Sequence, residues 1–267
     1  MSTTPTSRPS TNARQAGLCY GNLVQQRGFT LIELLAVLAI IATLSVFLFP
    51  AVNSIREMAQ RAKSASNMRQ IAMAYALYTR SGNRPRTLSP AKLEKATALG
   101  KTPQGFAEFL AKTTDLNEAS LWVIESDPVL SKFEAQGTVP VAIGHRDADN
   151  VFNLSEDPPW DSHIPVAYTI AIGHSPQAPL STTPLLWTRG LTPSGTWSKD
   201  SPWGGKGGHI AFLDGHVAFY RELSPDEGQF LKEDGSPTVN FRDLVAKENL
   251  LEMSSSTTEY LTEHTSN

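Results

Sequence analysis

The chain is poor in cysteine, with Cys19 the only one in 267 residues. The sequence therefore excludes an internal disulfide. Two stretches near the N-terminus are poor in charge, the first in negative charge and the second in charge of both signs. The first 28 residues contain no acidic residue, and from Phe29 to Phe49 the one charged residue is Glu33. No glycine occurs between Phe29 and Ser81, so nothing in that stretch has the flexibility that commonly ends a helix.

The apolar stretch from Phe29 to Phe49 is long enough to cross a membrane. Its 21 residues, at about 1.5 Å each, span the roughly 30 Å of a bilayer core. Three arginines precede it, and positive flanks stay cytoplasmic, so the chain beyond Pro50 is predicted to be exported. An ordinary secretory signal would be cut after a shorter apolar run, which makes a secreted enzyme with such a signal the least favoured reading.

Inserting a carboxylate into a membrane within an apolar helix costs about 2.5–3.5 kcal/mol by insertion scales. The presence of Glu33 in this stretch therefore indicates a functional role. The order Gly28, Phe29 and then Glu33 four residues later resembles the processing site of type IV prepilins and type II secretion pseudopilins. The resemblance implies that a prepilin peptidase cuts between Gly28 and Phe29 and that the new Phe29 amine is N-methylated. It also implies an assembly role for Glu33, which would pair with the Phe29 amine of a neighbouring subunit. The alternative for Glu33 is a position close enough to the membrane surface to be tolerated.

The helical pattern continues beyond the apolar stretch. Apolar residues recur every three or four positions, as expected for one face of a helix: Ile55, Met58, Ala62, Ala65, Met68, Ala72 and Tyr75. Asn67 falls outside this face, and Gly82 is a stop signal. Pro50 either kinks this helix or begins a separate one.

These patterns predict an α+β fold. The resemblance implies that it is pilin-like, with a long N-terminal helix packed on an antiparallel β-sheet with irregular loops. The chain divides into a cytoplasmic leader removed on maturation (1–28), a transmembrane half-helix (29–50), an exported amphipathic half-helix (51–80), a globular α+β domain (81–251) and a flexible tail (252–267). Within the globular domain, Ser89 is a predicted helix N-cap, and 105–112 forms an amphipathic helix. Strands are predicted at 121–124, 139–143, 166–172 and 185–187.

A second motif, Asp214-Gly215-His216, lies between two alternating apolar runs. Asp-Gly favours a two-residue type I′ hairpin turn. That register places four apolar side chains on one face: Ile210, Phe212, Val217 and Phe219. The opposite face then carries His209, Leu213, His216 and Tyr220. The motif resembles the C-terminal H-X9-DG motif of prepilin-like proteins, although Gly204 stands where the first histidine of that motif would fall.

Metal chemistry is the competing reading, because histidines and aspartates are frequent between 145 and 216. His209 and His216 would lie roughly 13 Å apart along the hairpin, too far to share one ion. Asp147 and Asp149 are weak calcium candidates, since their spacing matches no EF-hand loop. No other cofactor is indicated. The sequence shows no nucleophile elbow, phosphate loop or Cys-His pair.

The resemblance implies a non-enzymatic pilin-like or pseudopilin subunit that assembles through its N-terminal helix into a type II secretion or type IV pilus-like filament. Its partners would be the prepilin peptidase/N-methyltransferase, copies of itself or other pseudopilins, an inner-membrane assembly platform and membrane lipid. It would cross the inner membrane once, with its C-terminal domain in the periplasm, or outside the cell in a surface filament. Without the leader the chain carries 20 basic and 26 acidic residues, which disfavours nucleic-acid binding. The alternative is a membrane-anchored periplasmic binding protein or metal-dependent hydrolase.

Overall fold

The computed structural model describes residues 29–82, 86–224, 230–231, 236–240 and 243–253, without the side chains of 47–51, 231 and 237. The predicted leader, 1–28, and nearly all of the predicted tail therefore lie outside the described residues. The chain forms two compact units, Met1–Val52 and Asn53–Asn267.

Helix α1 runs from Leu31 to Arg80. It includes Pro50, so the alternative in which Pro50 begins a separate helix is wrong. The helix ends shortly before Gly82, whose φ of +99° suits glycine better than other residues.

In the second unit, α1 buries one face, formed by Ser64, Asn67, Met68, Ile71, Ala72, Tyr75 and Tyr78. The predicted apolar face is confirmed for Met68, Ala72 and Tyr75. It is wrong for Ile55, Met58 and Ala62, which are exposed, Ile55 and Met58 to 65% and 67%. Asn67, predicted to lie outside the apolar face, is buried, and its amide lies 3.5 Å from the Ser120 carbonyl oxygen. The difference arises because burial of the helix begins only near Ser64.

Three short helices follow, and each begins with a capping side chain and a proline in its first turn. They are α2 (Pro90–Ala96), α3 (Pro103–Thr114) and α4 (Pro128–Glu134), capped by Ser89, Thr102 and Asp127. The predicted cap at Ser89 is confirmed, and the amphipathic run 105–112 lies inside α3. The predicted strand at 121–124 is wrong, because Ala119–Trp122 forms a 3₁₀ turn. A four-residue apolar run is compatible with either structure.

The strands are short and all their pairings are antiparallel. In chain order they are β1 (Gly144–Arg146), β2 (Phe152–Leu154), β3 (Tyr168–Ala171), β4 (Pro184–Thr188), β5 (Gly208–Phe212), β6 (Val217–Tyr220), β7 (Phe230–Leu231), β8 (Pro237–Thr238) and β9 (Leu250–Leu251). The main sheet has the order β6-β5-β4-β3-β9. Strands β3 and β4 confirm the predictions at 166–172 and 185–187. The strand predicted at 139–143 is wrong, since that segment makes only one isolated bridge, between Glu118 and Ala142.

The main sheet is buried on both faces. Every residue of β3, β4 and β5 is buried. Alternate residues enter two clusters: Ile170, Leu186 and Ala211 pack with α1, α3 and Trp122, whereas Trp187, Ile210 and Phe212 pack with Trp197, Phe230 and Leu250. A long N-terminal helix and an antiparallel sheet thus form a mixed α+β architecture, which confirms the predicted pilin-like fold class.

The turn between β5 and β6 differs from the predicted type I′ turn. The Gly215 amide donates to the Phe212 carbonyl oxygen at 2.9 Å, and the Phe212 amide donates to the His216 carbonyl oxygen at 3.0 Å. Three residues therefore form the turn rather than two. Gly215 has a φ of +90°, whereas Asp214 does not adopt the positive φ that a type I′ turn requires at both central positions.

This extra turn residue shifts the hairpin register by one. His209 lies opposite Phe219, and Ala211 lies opposite Val217. The prediction of four apolar residues on one face is therefore wrong, because a one-residue shift moves a whole strand to the other face. Two groups replace it: Val217 and Phe219 pack with Ala211 and Leu213 on the α1 side, whereas Ile210 and Phe212 pack with Tyr220 on the other.

Candidate functional site

The N-terminal site is built around the first turn of α1. The Thr30 amide and hydroxyl donate to Oε2 of Glu33 at 2.9 and 2.8 Å, and the Glu33 amide donates back to the Thr30 hydroxyl at 3.2 Å. This reciprocal arrangement is a capping box, which satisfies amides that the first helical turn leaves open. Phe29 is the first described residue, and Gly28 lies outside the described residues.

Glu33 therefore has a local structural role that the sequence reading missed. Thr30-Leu31-Ile32-Glu33 has the spacing of a capping box directly before an apolar run, which is the signal that could have revealed it. Both bonds from Thr30 reach Oε2, and Oε1 accepts no hydrogen bond from any residue that the structure describes. One carboxylate oxygen is thus left for another partner.

The apolar side chains that follow this cap are not covered by other described residues of their unit. From Phe29 to Val46 every described residue except Ser45 is exposed, and Phe29 and Leu31 are 74% and 81% exposed. No helix in the described part of the chain meets the length and hydropathy expected of a membrane span. The span predicted for 29–50 stays a prediction.

Comparison with known proteins identifies the same segment. Residues 24–49 match the model of the prokaryotic N-terminal methylation motif. This match supports a prepilin-type leader, with Gly28, Phe29 and Glu33 inside the matched range. No curated protein and no solved structure matches the chain.

The Asp214-Gly215-His216 motif forms the turn of the β5–β6 hairpin. Oδ1 of Asp214 accepts from the His216 amide at 3.0 Å and lies 2.6 Å from Nδ1 of the same residue. Burial alone would raise the pKa of Asp214, but the bonds from His216 lower it below its usual value. The His216 ring stacks on Phe212, with centroids 4.1 Å apart. Asp214 and His216 thus bind each other within the turn.

His209 lies on the α1 side of the same hairpin, on the face opposite His216. Its ring makes edge contacts with Trp203 and Phe219 and lies 3.4 Å from the Ser64 hydroxyl. Burial, reinforced by the Arg61 guanidinium, lowers the pKa of His209 to about 4. His209 is therefore a neutral core residue at neutral pH.

The calcium candidates belong to the β1–β2 turn. Asp147 accepts hydrogen bonds from the amides of Asp149 and Val151 at 3.0 and 2.8 Å, and from the Asn153 side chain at 3.1 Å. The bond from Val151 contributes most to lowering its pKa. In the described ranges, no three His, Cys, Asp or Glu side chains come together in a way that could hold a metal ion.

A buried ion pair joins two distant segments and was not found from sequence. Asp127, whose side chain is fully buried, caps α4 through the Val129 amide and pairs with the Arg189 guanidinium beyond β4. The two residues are 62 positions apart, and no local pattern links them. This pair joins the N-terminus of α4 to the residue that follows β4 in the main sheet.

Proposed function

We propose that this protein is a pilin-like structural subunit that a prepilin peptidase processes between Gly28 and Phe29. The mature subunit assembles through its N-terminal helix into a type II secretion or type IV pilus-like filament. The observation that carries the proposal is the methylation motif at 24–49, followed by a helix whose apolar side chains have no cover within their own unit. An apolar surface of this kind needs lipid or other helices around it.

The proposal includes a location and a set of partners. The subunit spans the inner membrane once, with its N-terminus in the cytoplasm and its C-terminal domain in the periplasm, or outside the cell in a surface filament. Its partners are the prepilin peptidase/N-methyltransferase, copies of itself or other pseudopilins, the assembly platform and lipid. Its role is structural rather than enzymatic.

Glu33 can take part in assembly without giving up its capping role. Oε2 holds the Thr30 bonds, whereas Oε1 has no partner among the described residues. Cleavage before Phe29 would create a cationic amine one residue from Thr30. The amine of a neighbouring subunit then has an available carboxylate oxygen to bind, which neutralises a charge that is costly in an apolar environment.

Processing is tested by mass spectrometry of the membrane-extracted protein, which should begin with an N-methylated Phe29. Gly28→Val should leave the full-length precursor, because a β-branched residue cannot take the close backbone approach that glycine allows at a scissile bond. Gly21→Val is the matched control in the leader and should mature normally. Normal maturation of Gly28→Val would refute the processing site.

Assembly is tested with two variants of Glu33. Glu33→Gln keeps a capping-box residue but removes the charge, whereas Glu33→Leu removes both. If the carboxylate pairs with a neighbouring amine, both variants should be processed and both should fail to assemble. If Glu33→Gln forms filaments at the wild-type level, Glu33 acts only as a helix cap. A processed protein that stays monomeric even in wild type would favour the binding-protein or hydrolase alternative.

A further inference from the structure

A groove with an acidic rim lies between residues 60–67 of α1 and the segment 118–141. Its volume is about 440 Å³. Three carboxylates line it, those of Glu118, Glu125 and Glu134. The lining lysine, Lys63, pairs with Glu125 at 2.6 Å, so Glu118 and Glu134 give the rim its negative charge. The rim also carries Val141, which at 89% exposure is an apolar side chain almost fully in solvent. We call this surface the acidic groove.

Backbone bonds hold Glu118 and Val141 side by side. Glu118 pairs with Ala142 in an isolated antiparallel bridge, and the Ala119 amide donates to the Val141 carbonyl oxygen at 3.1 Å. Glu118 and Val141 are both exposed and both line the groove, on backbone that these bonds hold in place. A complementary surface would offer an apolar cavity with a basic rim.

Such a cavity exists on the same unit. It has a volume of about 190 Å³, and its apolar lining includes Tyr75, Leu180 and Leu213. Arg80 and Arg86 also line it, and neither has an ion-pair partner among the described residues. We call this surface the basic cavity.

Other titratable groups leave the charge of the basic cavity positive. Burial lowers the pKa of His174, which lines the cavity, to about 4, so its ring is neutral at neutral pH. Asp214 lies nearby, since its amide donates to the Leu180 carbonyl oxygen at 3.1 Å, and its carboxylate, which is bound to His216, adds one negative charge against the two positive charges of the arginines. The two arginines therefore dominate the rim.

The two surfaces lie on opposite flanks of α1 and cannot meet within one chain. Residues 60–67 and 75–80 are centred about 14 positions apart, or roughly 21 Å along the helix. At about 100° per residue, Lys63 falls on one side of the buried face, and Ala76 and Arg80 fall on the other. Complementary patches at different places on one molecule favour a heterologous contact, which gives a ring or a helical polymer rather than a symmetric dimer.

We propose that the acidic groove of one subunit docks on the basic cavity of a second copy, with Val141 entering the cavity and Glu118 facing Arg80 and Arg86. This contact rests on the proposed filament function and specifies which surfaces of the exported domain join neighbouring subunits. It supplies a fixed axial offset between copies that an apolar helix alone does not define.

The test is cysteine cross-linking between two co-expressed full-length chains, one carrying Val141→Cys and the other Leu180→Cys. Both also carry Cys19→Ser, so that the chain has no other thiol. We expect a mixed dimer on mild oxidation, and only in cells that contain both variants. Reversing charge on one side with Arg80→Glu and Arg86→Glu should lower its yield at least about tenfold. Adding Glu118→Arg and Glu134→Arg to the other chain should restore it.

The outcomes separate this contact from the proposed function. Filaments that form with no mixed cross-link would overturn the contact and leave the filament function standing. A cross-link between two Val141→Cys chains, without the mixed species, would mean a symmetric contact and would also overturn the inference. Loss of the cross-link in the Glu33→Leu variant is expected, since that variant should not assemble. A wild-type chain that is neither processed nor assembled would overturn both proposals.

Discussion

Acidification should weaken the second unit through two histidines, His209, which is buried, and His174, which is half-buried. Burial lowers the pKa of both to about 4 in the folded chain, whereas an unfolded histidine titrates near pKa 6.5. Because the folded pKa lies below the unfolded one, the unfolded chain binds protons first. Stability is therefore complete above the unfolded pKa and is lost as the pH falls from about 6.5 toward 4.

The size of the effect follows from the two pKa values. Between about pH 7.5 and about pH 5, each of these histidines should lower the free energy of unfolding by about 2 kcal/mol, or about 4 kcal/mol together. Asp147 and Asp214 should contribute little to this difference. Hydrogen bonds lower the pKa of both carboxyls below the usual value, so they stay ionised at these pH values.

The assay is urea unfolding of a fragment that begins at Asn53, where the second compact unit starts. A fragment beginning near Gly82 would lack Met68 and Tyr75 of the core. In the His209→Gln variant, the decrease in the free energy of unfolding between about pH 7.5 and about pH 5 should be about half that of the wild type. This holds whatever the substitution does to stability at about pH 7.5 itself. His145→Gln is the matched control, because this side chain is exposed. Two results would refute the reasoning: an unchanged pH-dependent loss in His209→Gln, or an equal reduction in the control.

Two further predictions concern the buried pair and the hairpin turn. Asp127→Asn should lower the free energy of unfolding by about 3–5 kcal/mol, because it leaves Arg189 largely buried without its partner. Glu125→Gln, in a solvent-exposed pair, should cost no more than about 1 kcal/mol in the same urea titration. Gly215→Val should cost about 1–3 kcal/mol, because it forces a β-branched residue to a φ of +90°. His216→Ala should cost less in thermal melts, and the opposite order would mean that His216 rather than the turn backbone holds the hairpin.

Local signals in the sequence were sufficient where a side chain and its partner are close along the chain. Ser89 caps α2 and is followed by a proline in the first turn, which is a pattern readable without a structure. The strands near 168 and 185 were also recognisable, because their apolar runs are bounded by turn residues. The α+β class follows from these elements together with the long helix.

The hairpin register was not predictable from alternation, because both faces of β5 are buried. When Ile210 enters one core and Ala211 the other, a shift of one residue still buries every position. Asp-Gly then indicated a turn but could not fix its length. The pairing of Asp127 with Arg189 was hidden for a different reason, since it depends on tertiary contact across 62 positions.

The last strand of the main sheet has a consequence for how the protein is made. Strand β9 covers β3, with Leu251 opposite Ile170, and the Ile172 amide donates to the Asn249 carbonyl oxygen at 2.9 Å. A nascent or prematurely terminated chain that has not reached Leu250 leaves β3 as an open edge of buried, apolar residues. Such an edge invites pairing with other chains. We therefore expect chains that end before Leu250 to aggregate more readily than the complete chain.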